Sequence, residues 1–212
     1  MQERNFDALY VSGASHNNPV MYYMVNGAQI GENSMLVKKR GEEPTLFVNL
    51  MERDMAAASG LTVMDPLKYK YREILTETGG DRLEASIRFR ERLFADLGVK
   101  GRVALYGLQE QGITFVFANA FNARQNGVEL VGEYVDNIFE TAWLSKDRQE
   151  VERIRQVGLK TMNVVGNTAE FLKSHRAVGG VLVKDDGSAL LIGDVKAQIR
   201  NFVMDEGIED PE

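Results

Sequence analysis

Two histidines are available for acid–base or metal chemistry, His16 and His175, and they lie far apart in the sequence. Neither falls in an HExxH spacing, so no helix presents a zinc pair with its general base. Ser15 precedes His16, which invites a nucleophile with a base beside it. Adjacent side chains rarely face each other usefully, and the pair reads instead as a polar turn. Asp185 and Asp186 offer two carboxylates to a cation, but they adjoin Gly187 with no further ligand spaced nearby, which is turn chemistry. Glu42 and Glu43 before Pro44 read the same way, and Glu209 with Asp210 are too few to form a site alone. His175 stands between Lys173 and Arg176 near the end of a predicted helix, where cations meet the terminal carbonyls.

Other motifs are missing. The chain has no cysteine, so it has no thiolate nucleophile, disulfide or cysteine metal site. It has no Gly-rich dinucleotide or P-loop pattern and no GxSxG elbow. The remaining candidate surface is residues 8–31, which contain no Asp, Glu, Lys or Arg. His16, Asn17, Asn18, Tyr22, Tyr23, Asn26 and Gln29 there offer neutral hydrogen-bonding groups near a strand end. Such groups contact a ligand or another domain, or simply cap and pack a strand-to-helix connection; the second reading fits most of them. His16, Asn17, Tyr23 and Asn26 are retained as a substrate-pocket or interface contribution, with no catalytic residue and no metal ligand assigned.

Composition narrows the class. The net charge is −6 and no Lys/Arg block stands out, which argues against nucleic acid. The locally basic stretch "RLEASIRFRERLF" places Arg88 and Arg92 on a helix face with Glu84, a solvated ion-paired surface. Residues 8–31 are uncharged but contain "SGASHNNP" and "NGAQ", whose polar groups would go unsatisfied in lipid, so no membrane association is expected. The N-terminus shows no signal-peptide pattern, and the expected location is the cytoplasm. A chain of 212 residues suits one large domain, or one domain plus part of another.

The elements that must position these residues alternate through the first part. "DALYVS" reads as a buried strand. "HNNPVMYYMV" reads as a loop and short helix, with Asn18 as N-cap and Pro19 at the first helical position. "NSMLVKK" and "TLFVNL" are strands joined by the hairpin-like "RGEEP". "ERDMAAAS" is a helix stopped by Gly60, and "LTVMDP" a short strand. "KYKYREILTE" is a helix candidate. "DRLEASIRFRERLFADLG" is a stronger one, with a stripe of Leu83, Ile87, Phe94 and Leu97 and a stop at Gly98. "RVALYG" is a strand, "QEQGITFVFANAFNA" a helix despite its β-branched and aromatic content, and "GVELVGEY" a strand. The alternation predicts an α/β fold, a mixed sheet of about five to six strands flanked by helices.

The character changes between residues 136 and 145. A long amphipathic helix begins at "SKDRQEVERIRQVG", with Ser145 as N-cap, Asp147 in the first turn, and Val151, Ile154, Gly158, Met162, Val165, Ala169 and Leu172 along one face. "VLVKDDGSALLI" reads as a hairpin turning at Asp185, Asp186 and Gly187. A last helix over 193–206, with Val195, Ile199, Phe202 and Val203 at helical spacing, stops at Gly207.

"DALYVSGASHNNPVMYYMVNG" followed by "MLVKKRGEEPTLFVNLMERDMAA" resembles the amino-terminal domain of the creatinase/prolidase/aminopeptidase P metallopeptidases. "RVALYG" and "VELVGEYVDNIFETAWLSKDRQEVERIRQVG" are similar to the rest of that domain and to the linker helix after it. "LIGDVKAQIRNFVMDEGIEDPE" is similar to an early helix of the pita-bread catalytic domain. The resemblance implies a ribonuclease H-like domain over 1–140, then a linker helix, hairpin and first helix of a truncated catalytic domain over 141–212. It implies metal-dependent hydrolysis before proline in X-Pro peptides, as an aminopeptidase or dipeptidase. Two divalent metals, often manganese, would be held by two Asp, one His and two Glu of a catalytic half beyond the last helix. No residue here matches one of those ligands, so the chain alone is expected to be inactive and to carry no cofactor. The implied partners are a proline-containing peptide and a second copy in a homodimer. A non-catalytic peptide- or protein-binding module and a creatinase-like amidine hydrolase are the alternatives; the "KDDGSALL" hairpin, longer than is common in the family, leaves the subfamily open.

Overall fold

The computed structural model describes residues 1–208, so Glu209 and Asp210 lie outside the described residues. By internal contacts the chain divides into two compact units, Met1–Ala142 and Trp143–Glu212.

The first unit is built on strand β1, Ala8–Ser12, all five residues of which are buried. They are buried because β1 has a neighbour on each side and helices over each face. Helix α1 follows at Pro19–Met24, then β2 at Met35–Lys39 and β3 at Thr45–Phe47. A 3₁₀ turn at Leu50–Glu52 leads into α2, Arg53–Ala57, and β4, Thr62–Met64. Helices α3, Tyr71–Glu77, and α4, Arg82–Asp96, precede β5, Gly101–Gly107. Helix α5, Gln111–Asn122, β6, Val128–Val131, and α6, Ile138–Leu144, complete the series.

The six strands form one mixed sheet in the order β4-β3-β2-β1-β5-β6, in agreement with the expected fold class. β1 runs antiparallel to β2, with Ala8 opposite Lys39, and parallel to β5, with Ala8 opposite Val103. Because successive side chains point to opposite faces, Ala8 and Tyr10 go one way and Leu9 and Val11 the other. The Tyr10 face holds the main core with Ile87, Phe89, Leu93 and Phe94 of α4 and Phe121 of α5. Its aromatic rings meet edge to face, Tyr10 on Phe94 at 5.9 Å and Phe94 on Phe121 at 5.9 Å.

Local chemistry explains the boundaries. Asn18 caps α1 by accepting from the Met21 N–H, with Pro19 opening the helix as expected. Asp81 caps α4 in the same way, and Gly98 follows it at φ +65°, as a C-terminal stop requires.

Some expectations are corrected. "KYKYREILTE" is not one helix: a 3₁₀ turn, Pro66–Tyr69, ends at Lys70 in the left-handed region at φ +56°, and α3 starts after it. The covered stripe of α4 runs through Ala85, Phe89 and Leu93 at four-residue spacing, leaving Leu83 at the flank, 37% exposed.

The second unit opens with α7, Arg148–Ser174. Its N-cap is Asp147 rather than Ser145, because Asp147 and Glu150 satisfy each other's backbone N–H groups in a capping box. Strands β7, Arg176–Val178, and β8, Val181–Val183, form a hairpin closed at Gly179-Gly180, one turn earlier than the sequence placed it. The predicted Asp185–Gly187 turn follows as a second return, with Leu190 N–H donating to the Leu182 carbonyl at 2.8 Å. Helix α8, Ile192–Asp205, packs on α7 through Phe171 and Phe202, and Gly207 after it adopts φ +62°. The covered line of α7 passes through Val164 and Phe171; Val151, Ile154, Met162 and Val165, predicted to be its apolar contact face, are exposed.

Candidate functional site

β1 and β5 lie side by side and parallel, yet the chain leaves them in opposite directions. From β1 it turns toward β2, and from β5 it crosses through α5 toward β6. Where connections diverge in this way, the ends of the strands cannot be covered by either crossover, and a crevice opens beyond them. β1 is followed by Gly13 at φ +104° and β5 ends in Gly107 at φ +110°, both in the left-handed region. A Cβ on Gly107 would run into the Ser12 carbonyl and lie 2.8 Å from the Ser12 nitrogen. A Cβ on Gly13 would sit 3.0 Å from the Leu108 carbonyl oxygen.

The crevice is a cleft of ≈ 1310 Å³. Its floor includes Tyr10, Ser12 and Leu105 from the two strands, one wall is Leu83 and Arg90 of α4, and the other is the first turns of α5. That second wall is apolar and open, with Ile113 64% and Phe115 71% exposed.

The two carboxylates at the rim are already engaged. Glu110 caps α5, accepting from the N–H groups of Gly112 at 3.0 Å and Ile113 at 2.7 Å, and these bonds hold its carboxyl below the usual range. Glu133 accepts from the Tyr106 hydroxyl, the Arg4 guanidinium and the Ile138 N–H. Burial alone would raise the Glu133 pKa, but these donors outweigh it and hold the carboxyl down. Burial, reinforced by the Glu133 carboxylate, pushes the Tyr106 hydroxyl well up.

Arg90 differs. Its Nε donates to the Tyr10 hydroxyl at 3.2 Å. Its guanidinium lies 5.0 Å from the Phe89 ring centre, 5.7 Å from Phe117 and 5.8 Å from Tyr10. No carboxylate pairs with it among the described residues, whereas on the same helix Arg88 pairs with Glu84 and Arg92 with Glu77. The expected Arg88–Glu84 contact is therefore present at 2.7 Å, and Glu84 takes Arg124 as its second partner in place of Arg92.

The residues singled out from sequence lie on the connection after β1 and are not among those lining the cleft. His16, Asn17, Tyr23 and Asn26 are exposed, with Tyr23 edge-on to Phe139 at 6.3 Å. Asn17 and Asn26 both adopt φ +54°, a conformation asparagine tolerates better than most residues. Ser15 is buried and its hydroxyl accepts from the Ile30 N–H at 3.0 Å, which leaves the adjacent His16 without a nucleophile. Asp186 accepts from the Ser188 N–H and hydroxyl, as a turn residue does. His175 caps α7 with Nδ1 2.7 Å from the Phe171 carbonyl.

The cleft residues were missed because they come from segments distant in the sequence. The legible signal is a glycine at or just after the end of each strand, in "YVSG" and "LYGL". Among the described residues, no group of three or more His, Asp or Glu is placed to hold a metal ion, so these residues do not fit the two metals the resemblance implies. Among them too, no helix is long and apolar enough to cross a membrane.

The first unit thus belongs to the class of mixed α/β folds with a crevice at a topological switch point. No family model matches the chain, and no curated protein matches it significantly. Among solved structures it is similar to a dipeptidase from Pyrococcus horikoshii OT3, with a TM-score of 0.57 at 11% identity. The match covers 96% of this chain and 47% of that one, so the chain spans about half the length of the protein it resembles.

Proposed function

We propose that this chain serves as the amino-terminal portion of a metal-dependent X-Pro peptidase, forming a wall over the substrate rather than performing the hydrolysis. The observation that carries this is the likeness to the dipeptidase along 96% of the chain, joined to the order of motifs that resemble the creatinase/prolidase group. In this reading the metals are held outside the described residues. The exposed His16, Asn17, Tyr23 and Asn26 border the peptide or a second subunit of a cytoplasmic homodimer.

The test is the intact mass of the native protein and an X-Pro cleavage assay with manganese. A mass well above 23.7 kDa with metal-dependent cleavage supports the reading. A native mass of 23.7 kDa with no cleavage overturns it. In the active native protein, Tyr23→Ala and Asn26→Ala are expected to raise peptide KM several-fold with little change in kcat, because they alter binding and touch no reacting atom.

One observation favours a second reading, a peptide-binding module without catalysis: the large, open, apolar cleft with an arginine that lacks a carboxylate. Peptide binding without cleavage by the native protein would select it.

A further inference from the structure

We infer that the switch-point cleft binds the carboxylate of a ligand with an apolar body, and that Arg90 grips it. The inference deepens the binding reading above and rests on it.

The argument begins with what holds Arg90. An arginine left without an acid in a half-buried position is uncommon, because its charge must be compensated. Here the compensation is partial: three aromatic rings lie within 6 Å and one hydroxyl accepts from Nε. These contacts restrain the guanidinium and occupy its Nε edge. Among the described residues, neither Nη has a hydrogen-bond or ion-pair partner, so the end-on pair of donors is available. Two parallel N–H groups at that spacing match the two oxygens of a carboxylate. Because the rings already restrict the side chain, little of its freedom remains to be lost on binding.

The surroundings select the kind of anion. A phosphate calls for several donors, commonly the free N–H groups at a helix start. At α5 two of those groups, the Gly112 and Ile113 N–H, are taken by the Glu110 carboxylate. Arg82 is the other arginine on the lining, and Leu83, Leu105, Ile113 and Phe117 supply apolar surface. One ring-restrained fork, that of Arg90, beside apolar walls suits a carboxylate on a hydrophobic body. The cleft volume of ≈ 1310 Å³ exceeds the roughly 300–1,000 Å³ of ordinary small-molecule pockets and has room for several residues. The C-terminal end of a short apolar peptide fits both features; a free apolar acid shares the chemistry.

The test is calorimetric titration of the full chain with N-acetyl-Leu-Leu-Phe and with its C-terminal amide. The acid is expected to bind about ten-fold or more tightly than the amide. Arg90→Gln is expected to abolish that preference, and Arg90→Lys, which keeps charge but not the fork, to retain only part of it. Leu83→Glu lies at the exposed flank of α4, so it leaves the fold intact while adding a repelling carboxylate. It is expected to weaken the acid more than the amide. Phenylpropanoate distinguishes the sources: affinity equal to the peptide acid supports a free acid, and weaker affinity supports a peptide terminus. Equal binding of acid and amide to the unaltered chain overturns the carboxylate inference while the binding reading stands; binding of neither overturns both. Inorganic phosphate displacing the acid at lower concentration than the acid binds also overturns it.

Discussion

Asn18 is 2% exposed, and both ends of its amide are occupied. Its oxygen accepts from the Met21 N–H at 3.2 Å, and its nitrogen donates to the Ser12 carbonyl at 3.1 Å. One side chain therefore starts α1 and ties it to the end of β1. Asn18→Ala removes both the cap and the bond to the Ser12 carbonyl, and is expected to cost about 2 kcal/mol in urea denaturation. Asn18→Asp keeps the cap but loses the donor, so a cost as large as that of alanine would show that the Ser12 bond dominates. Glu133, with a side chain 8% exposed, gives a pH signature. Its folded pKa lies below the unfolded value of about 4.3, so its contribution is present above that pH and is lost as pH falls through the folded value. Stability is expected to fall more steeply in the unaltered chain than in Glu133→Gln as the pH drops below the unfolded carboxyl value. At neutral pH the glutamine variant is expected to be less stable by ~1–3 kcal/mol, because a buried carboxylate site with three donors is disrupted. Urea titrations across pH check both; parallel acid slopes would remove Glu133 as the source.

At the scale of elements, the end of β5 is the most constrained point described. Gly107→Ala places a Cβ against the Ser12 backbone at a positive φ, and is expected to destabilise the fold by about 2 kcal/mol or more, measured by chemical denaturation. Gly41 is a control, since its Cβ would meet nothing within 4 Å although its φ is also positive; Gly41→Ala should cost distinctly less. The same scale shows what was legible in the sequence. Runs such as "DALYVS" and "RVALYG", and caps such as Asn18 and Asp81 with Gly98 or Gly207 as stops, act over a few residues, so their signals are local. The Lys70 break was hidden because a lysine gives no cue for a left-handed turn; surrounding structure imposes it. The buried face of α7 was misread because periodicity marks every apolar position on a helix but not which of them finds a partner. The cleft was invisible for a related reason: Tyr10, Arg90 and Ile113 share no spacing, and only the strand order brings them together.

At the scale of the whole molecule, the first unit has a sheet covered on both faces and its own aromatic core. A chain ending at Leu144, the last residue of α6, is therefore expected to melt in a single cooperative transition with near-ultraviolet circular dichroism intact. A broad melt without aromatic signal would show that the first unit depends on the second. The central position of β1 also has a temporal consequence. Its antiparallel partner β2 is close in the chain and can join it early, but its parallel partner β5 arrives only after four helices have been made. Closing so long a loop is the slow kind of strand pairing. Until β5 is made, β1 can pair only on its β2 side, so the crevice at the ends of β1 and β5 cannot form before Gly107 and the residues leading to it are in place.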